Sequence, residues 1–455
     1  MTCVLKKVSI YNFKSLRNVE IQLKKFNVLI GPNGAGKTNF IEFFKFLKKA
    51  LIEVGRRPYV PYLEWWSYRN IVWEGKEELP ITGKLLFDID GFNVEYEVSF
   101  SAAAGVFKIL IERLVIEKIL LLEKEGPILK IRQNEQFLIN NRRNINRELK
   151  NFSRLLEVLS DAFAKSKDVR ARRKIALKDL SGQTWKISTD LPNLLHFQTK
   201  PVPWVMDTYT RRNLEAEYIG GISELVREGS PLIIVPLKDE EGGLSEILNA
   251  VRSAIANFTV LKHPHMKAVK SATVPRGEQQ LQEDSSNLNN ILYKWFSARH
   301  KLPERIETVI SELFPDTQIG FELTLEGKIY LKIYEKGVEL HPPCIPDGLY
   351  KVLAILAAIE LEPSLLAIDE LENSLYKEAL EYVIDALRES ESSVVITTHS
   401  PLVVDMVKLE DLVIAEKTGE GTVLSRIKAP QKLRQKLAEL KITQSESWLY
   451  GELPE

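Results

Sequence analysis

Cysteine is almost missing from this 455-residue chain: Cys3 and Cys344 are the only two, and they lie far apart in sequence. That excludes a disulfide framework and a cysteine-held metal cluster, and both thiols are expected to be free in a reducing compartment. An excess of one charge is missing as well, since Lys plus Arg and Asp plus Glu both number 62. Net charge therefore argues for neither nucleic acid nor membrane. No apolar run approaches the roughly 18 residues of a membrane span. The longest, Val352–Ile359, is stopped by Glu360 and Glu362. The opening MTCVLKKVSIYNF lacks the apolar stretch of a secretory signal, so no membrane partner and a cytoplasmic location are expected. Sustained heptads are absent, which excludes a long coiled coil. A chain of this length is expected to divide into two or three domains.

What is present concentrates first in Phe26–Phe40, FNVLIGPNGAGKTNF. The apolar run Phe26–Ile30 is long enough for one buried strand. It feeds into Gly31-Pro-Asn-Gly34-Ala-Gly36-Lys37-Thr38, which matches G-x-x-x-x-G-K-[ST]. An amphipathic helix is predicted next, with Ile41, Phe44, Leu47 and Leu51 on one face. Strand, loop and helix in this order make the pattern a phosphate site. The glycines allow positive φ and bring successive N–H groups close to an anion, and the helix N-terminus adds its partial positive charge. Lys37 is placed to hold the β- and γ-phosphates, and Thr38 to offer its hydroxyl to Mg²⁺.

Along the chain, Val4–Ile10 and Asn18–Leu23 read as strands. The aromatic stretch Tyr59, Tyr62, Trp65, Trp66, Tyr68 and Trp73 reads as core filling or a domain contact rather than base stacking, because few basic residues are interleaved. Leu85–Ile89 and Phe92–Phe100 alternate around Asp90-Gly91, a hairpin signal. The DIDGFN string there lacks the later acidic positions of a calcium loop and reads as turn chemistry. Strand-like segments continue over Phe107–Ile131, suggesting an antiparallel sheet. Composition changes near Asn140. Asn141–Lys174 is strongly basic and carries apolar residues at helical spacing, as expected of a helical arm. Its basic face suits nucleic-acid phosphates or is an ordinary solvated surface, and the residues alone leave both open. Trp185–Leu261 fits no recognisable module, although Leu232–Val235 reads as a buried strand. His263 and His265 have no ligand company and are expected in solvent. Helices are predicted at Asn287–Phe296 and Leu302–Phe314, and hairpin strands at Gln318–Leu325 and Lys328–Tyr334.

Three elements then follow closely. Ile345-Pro346-Asp347-Gly348 opens an apolar helix, Leu349–Ile359. Leu365–Ile368 is an apolar strand ending in Asp369 and Glu370, and Val394–Thr398 is another ending in His399. A strand-terminal Asp beside a phosphate loop can hold Mg²⁺, the next Glu can polarise an attacking water, and a histidine on a neighbouring strand can bond the γ-phosphate. Each is weak alone; together, in this order, they are specific.

The segments VSIYNFKSLRNVEIQL, NVLIGPNGAGKTNFIEF, EDSSNLNNIL, IPDGLYKVLAIL, LLAIDELENSLYKEAL and VVITTHSPLVVD resemble ABC-type ATPase heads. The group concerned contains RecF, the SMC (structural maintenance of chromosomes) proteins and related AAA-type predicted ATPases. The resemblance covers both ends of the chain. It implies an α/β P-loop NTPase of the ABC-ATPase type, with a mixed core sheet, an antiparallel β lobe and a helical insertion. The implied division is 1–140 and 285–430 as the two parts of the head, 141–284 as a mainly helical, basic insertion, and 431–455 as a C-terminal helix and tail. It implies ATP and Mg²⁺ as ligands. Asn33, Gly34, Gly36, Lys37, Thr38 and Asn39 would contact nucleotide, Thr38 and Asp369 the metal, and Glu370 and His399 would be catalytic. Asn12, Phe13 and Arg17 would line the adenine or ribose pocket. Gly348 would face the nucleotide of a second head across an ATP-sandwiched homodimer, and Leu371–Tyr376 would form the loop that reaches across it. Gln279 and Gln280 are the candidates for the family's Q-loop glutamine. Where relatives usually have Ser two positions before Gly348, this chain has Pro346. The hydroxyl donor is gone and Asp347 adds negative charge, so weak hydrolysis is expected.

Three functions follow from that resemblance: a DNA-associated ATPase of repair or defence type, an ATPase subunit gating a separate nuclease or effector, or a nucleotide-gated scaffold with little turnover. The related overcoming-lysogenization-defect proteins carry a Toprim nuclease after the head. Too little chain follows His399 for one, so a nuclease is expected from another polypeptide.

Overall fold

The computed structural model describes residues 3–53, 60–116, 120–125, 128–133, 184–188 and 244–451. The chain divides into two compact units, one formed by Met1–Asn12 with Lys49–Ala256, the other by Phe13–Lys48 with Asn257–Glu455.

The first unit is built on antiparallel strands. Cys3–Phe13, Ile81–Ile89, Phe92–Ser101, Lys108–Ile116, Leu120–Glu125, Ile128–Gln133 and Thr184–Ser188 neighbour one another in that order. Alternation sets the buried face: Ile81, Leu85 and Phe87 point inward, opposite Phe100, Tyr96 and Val94. Asp90 and Gly91 both take positive φ, 47° and 84°, as a type I′ turn requires, and Asp88 Oδ1 accepts the Gly91 N–H at 2.9 Å. The DIDGFN string is therefore a turn. In the aromatic stretch, Tyr62 and Tyr68 are buried with rings 5.9 Å apart, which is core filling as expected, whereas Trp66 is 89 % exposed. Tyr59 lies outside the described residues.

The second unit holds a six-stranded sheet in the order Phe258–Leu261, Leu365–Ile368, Ser393–Thr397, Phe26–Ile30, Leu412–Thr418, Gly421–Arg426. The first five run parallel, and the last pairs antiparallel with its neighbour. FNVLI, LLAI and SVVIT are buried at every position, as in a sheet covered on both faces. The phosphate-loop helix, Lys37–Leu51, is apolar on more than the one expected face: Phe40, Phe43 and Phe46 are buried as well as Ile41, Phe44, Leu47 and Leu51. Two of its charged residues enter an ion cluster, Glu42 with Lys14 and Lys262, and Lys45 with Glu283, which Lys262 also reaches. The helix Asp347–Glu360 is buried from Leu349 to Ile359. A three-stranded antiparallel sheet, Thr317–Leu323, Ile329–Glu335 and Val338–Leu340, buries Ile329, Leu331 and Ile333.

Within 141–284, expected to be mainly helical, the described residues include strands as well as helix. Thr184–Ser188 is a strand paired with Ile128–Arg132, and Phe258–Leu261 is the edge strand of the core sheet, pairing with Leu365–Ile368. FTVL is too short to show a period, so only its partner reveals it. Leu244–Ala256 is a helix. Where a C-terminal helix and tail are expected, Pro430–Leu440 is a helix that buries Leu433 and Leu437, and Ser445 Oγ donates to Asp405 Oδ2 at 2.7 Å. The basic segment Asn141–Lys174 and the strand expected at Leu232–Val235 lie outside the described residues. No described helix is long and apolar enough to cross a membrane.

Candidate nucleotide-binding site

The site lies where three parallel strands of the second unit end. Phe26–Ile30 runs into the glycine loop, Leu365–Ile368 into Asp369 and Glu370, and Ser393–Thr397 into Thr398 and His399. In open parallel sheets the carboxyl ends of the strands are where ligands bind. The strand ending in His399 lies between the other two, so all three sets of side chains emerge side by side.

Gly36 shows why the loop has no side chain there. Its φ is +100°, and a Cβ would fall 2.2 Å from Thr422 Oγ1 and 2.7 Å from Ser15 Oγ. Those hydroxyls are 2.8 Å apart, and the Thr422 N–H donates to Ser15 O at 2.8 Å. Asn39 Nδ2 donates to the same Ser15 Oγ at 2.7 Å. Asn39, expected among the nucleotide contacts, therefore has its amide engaged beneath the loop. Asn33 and Gly34 are exposed on the loop.

Lys37 is buried. Its ammonium donates to Gly31 O at 2.8 Å and Pro32 O at 3.1 Å, and faces His399 Nδ1 at 3.4 Å. Burial pulls Lys37 below its ordinary pKa of 10.5, opposed in part by Asp369, Glu370 and Glu372. Thr38 Oγ1 donates to Asp369 Oδ1 at 3.2 Å. Residues far apart in sequence are thus brought to one point.

Asp369, Glu370 and His399 are each held by groups that the motif reading did not single out. Thr397 Oγ1 donates to Asp369 Oδ1 at 2.6 Å and accepts the Glu370 N–H at 2.9 Å. Glu370 takes φ +50°, and its Oε2 accepts from Asn373 Nδ2 at 2.6 Å. Glu372 Oε1 accepts the His399 backbone N–H at 2.7 Å. A hydroxyl ending an otherwise apolar strand was the available signal for Thr397. Glu372 gave none, because its partner is a backbone amide on another strand.

Gly348 opens the helix Asp347–Glu360, and a Cβ there would lie 2.9 Å from Ser374 O. The helix N-terminus is therefore seated directly on the segment after the Asp369–Glu370 pair. Pro346 occupies the N-cap without a side-chain cap. The Asp347 charge expected to oppose a phosphate is compensated: Oδ1 lies 2.7 Å from Lys270 Nζ.

The expectation for Phe13 is overturned. Its ring is fully buried, stacked on Phe46 at 5.5 Å and edge-on to Phe43 at 5.5 Å, so no face remains for a base. Arg17 lies on the surface, 3.9 Å from Glu420. Asn12 uses its amide on Pro80 O at 3.0 Å. Gln280 Oε1 accepts from Lys48 Nζ at 2.8 Å. His263 and His265 are exposed, as expected.

Thr38 Oγ1 and Asp369 Oδ1 are hard oxygen donors already in contact, a set suited to Mg²⁺ completed by water and phosphate oxygens. Glu322, Glu339 and His341 also cluster, but Lys332 Nζ lies 3.2 and 3.1 Å from the two carboxylates and fills the place a cation would take.

Fold and site together define a P-loop nucleotide-binding protein of the ATPase type. A family model described as "AAA domain, putative AbiEii toxin, Type IV TA system" matches residues 26–405, and the chain belongs to this family. Among solved structures, it is similar to an Smc head domain from Pyrococcus furiosus, with an extended coiled coil and bound to the C-terminal domain of ScpA. The identity is 12 %, the coverage 97 % of this chain and 100 % of that one, and the TM-score 0.41. An SMC head domain from Thermotoga maritima is 14 % identical over 93 % and 99 % of the two chains, with a TM-score of 0.37. A head domain with coiled coil and joint from Pyrococcus yayanosii is 14 % identical over 97 % and 100 %, with a TM-score of 0.40. The comparison with curated proteins returns no match.

Proposed function

We propose that this protein is an ATP hydrolase whose heads pair around two ATP–Mg²⁺ units and that acts on DNA in a repair- or defence-type role. The observation that carries the reading is the convergence of Lys37, Thr38, Asp369, Glu370 and His399 at adjacent strand ends of one sheet. On binding, the Lys37 ammonium exchanges Gly31 O and Pro32 O for β- and γ-phosphate oxygens, while the loop N–H groups hold the β-phosphate. Thr38 and Asp369 hold Mg²⁺, which neutralises phosphate charge when bound. Glu370 turns from Asn373 to accept a proton from the attacking water, and His399 donates to the γ-phosphate. Gly348 and the start of its helix present backbone N–H groups to the γ-phosphate held by a second head. The Asp347–Lys270 pair removes the main electrostatic objection to that approach. The basic segment Asn141–Lys174 supplies the nucleic-acid contact.

A second reading, an ATPase subunit that gates a separate nuclease or effector, is favoured by the family's description as a putative toxin of a toxin–antitoxin system. Phosphate release with and without duplex DNA tests the first reading. Glu370→Gln is expected to lower turnover about 10²–10⁴-fold and to accumulate ATP-bound dimers on light scattering, whereas Lys37→Ala loses nucleotide affinity. Unchanged turnover in Glu370→Gln overturns the role given to that carboxylate. Turnover indifferent to DNA, together with DNA binding unaffected by neutralising Arg142, Arg143, Arg172 and Arg173, favours the effector reading.

A further inference from the structure

The helix Asp347–Glu360 is short of donors at its start. Pro346, at the N-cap, has neither an N–H nor a hydroxyl, and the Leu349 N–H is taken by Pro346 O at 3.2 Å. Asp347 and Gly348 are left to present backbone N–H groups there, beside a carboxylate. That is a poor match for a terminal phosphate, whose charge during transfer is met by preorganised donors. Lys270 makes up the deficit. Its segment leaves the edge strand Phe258–Leu261 at the carboxyl end of the core sheet, where Leu261 O accepts the Asp369 N–H at 2.9 Å. The Lys270 Nζ lies 2.7 Å from Asp347 Oδ1 and 5.7 Å from the centre of the Tyr350 ring, so the ammonium stands over the first turn of the helix. A helix N-terminus is already positive, so the helix itself gains nothing from a cation at that end. The pair is also open to water, with the two side chains 21 % and 51 % exposed, and ion pairs of this kind exchange partners at little cost.

We infer that Lys270 is a catalytic residue in trans: when two heads pair, its ammonium passes from Asp347 to the γ-phosphate held by the second head. There it stabilises the charge on the phosphoryl group as it transfers, as a cation supplied from another subunit can. Lys270 thus replaces the hydroxyl donor that Pro346 removes, and a charged donor bonds an anion more strongly than a neutral one. Asp347 has a separate part, holding the ammonium at the helix start until a phosphate takes it. The inference rests on the paired-head reading above and adds to it the residue that completes each site from the other copy.

The test uses Lys270→Met, Lys270→Arg and Lys270→Met/Asp347→Asn in the full chain, with Glu370→Gln as the pairing control. Lys270→Met is expected to lower kcat about a hundredfold, while ATP affinity of the single head stays within about threefold because Lys37 and its loop are untouched. Lys270→Arg should keep most of the turnover. Removing the Asp347 charge as well should restore pairing, measured in the Glu370→Gln background, but not kcat. That separates a lost phosphate contact from an uncompensated carboxylate. Mixed heads then decide between cis and trans. Glu370→Gln heads supply Lys270 and Lys270→Met heads supply Glu370, so single-turnover phosphate release should rise at least about tenfold above either variant alone. Recovery of kcat in the double variant overturns the inference, as do mixed pairs, verified by pull-down of one tagged head, that release phosphate no faster than either parent. If Glu370→Gln forms no ATP-bound dimer, the paired-head reading falls and this inference with it; if the dimer forms and mixing gives no recovery, the inference falls alone. If Lys270→Met fails to fold, Lys270→Gln takes its place in every arm.

Discussion

Replacing Gly36 by alanine tests the phosphate loop at its tightest point. At φ +100° an L-residue carries about 1–3 kcal/mol of backbone strain. The new Cβ would also lie 2.2 Å from Thr422 Oγ1, 2.7 Å from Ser15 Oγ and 2.9 Å from Thr422 Cγ2. Neither hydroxyl can retreat freely, because the two contact each other, Ser15 also receives Asn39, and Thr422 is tied to Ser15 O. Overpacking of this kind adds about 1–3 kcal/mol. The two terms together predict about 2–6 kcal/mol, carried mainly by the nucleotide-ready loop rather than the sheet beneath it. ATP affinity, read by titration of a fluorescent analogue, should fall by at least about thirtyfold, with only a modest drop in melting temperature. Adding Thr422→Ala removes the closest contact but not the φ strain, so it should restore part of the loss. A Gly36→Ala protein that binds ATP within about threefold of wild type would refute the reasoning, as would full recovery in the double variant.

Lys270→Met leaves Asp347 uncompensated at the start of the Gly348 helix. At partly exposed positions this is worth about 1 kcal/mol per site, so ATP-driven dimers of the Glu370→Gln protein should weaken about fivefold or more and recover in high salt; equal dimerisation by light scattering would remove Asp347 from the interface. Thr397→Val deletes the hydroxyl that donates to Asp369 and accepts from the Glu370 N–H at a fully buried position. A loss of about 1–3 kcal/mol is expected in kcat/KM for phosphate release, and wild-type kinetics would show that Asp369 and Glu370 orient without it. In the ion cluster, burial alone would raise Glu42 and Glu283, but bonds from Lys14 and Lys262, and from Lys45 and Lys262, hold both below 4.5. Their contribution to stability is therefore full above about pH 4.5 and lost as the pH falls through the lowered values. Thermal melts should drop over that acid range, and Glu42→Gln should flatten the slope; an unchanged slope would place the acid sensitivity elsewhere.

The phosphate loop and its two companions were legible because each is local. Phe26–Ile30, Leu365–Ile368 and Ser393–Thr397 are short runs buried at every position, so the chain shows them as largely apolar segments, the first running into the glycine loop and the other two into polar residues. The hairpin at Asp90-Gly91 was equally plain, since a type I′ turn demands positive φ at two successive residues. Phe13 was misread because an aromatic beside a polar Asn-Phe-Lys-Ser string resembles a pocket wall until Phe43 and Phe46 are seen closing over it.

By itself, then, the amino-acid order settled which stretches form strand, loop and helix around Lys37, and which side chains carry charge at the strand ends. Periodicity and turn chemistry act over a few residues and can be read there. Only the tertiary structure decided that Phe258–Leu261 is the edge of the core sheet, that Thr397 serves Asp369, that Lys270 offsets Asp347, and that Glu372 grips the His399 N–H. Those relations join residues distant in the chain. They depend on which strands lie side by side and on which charges burial leaves without water, and neither is written in any local stretch.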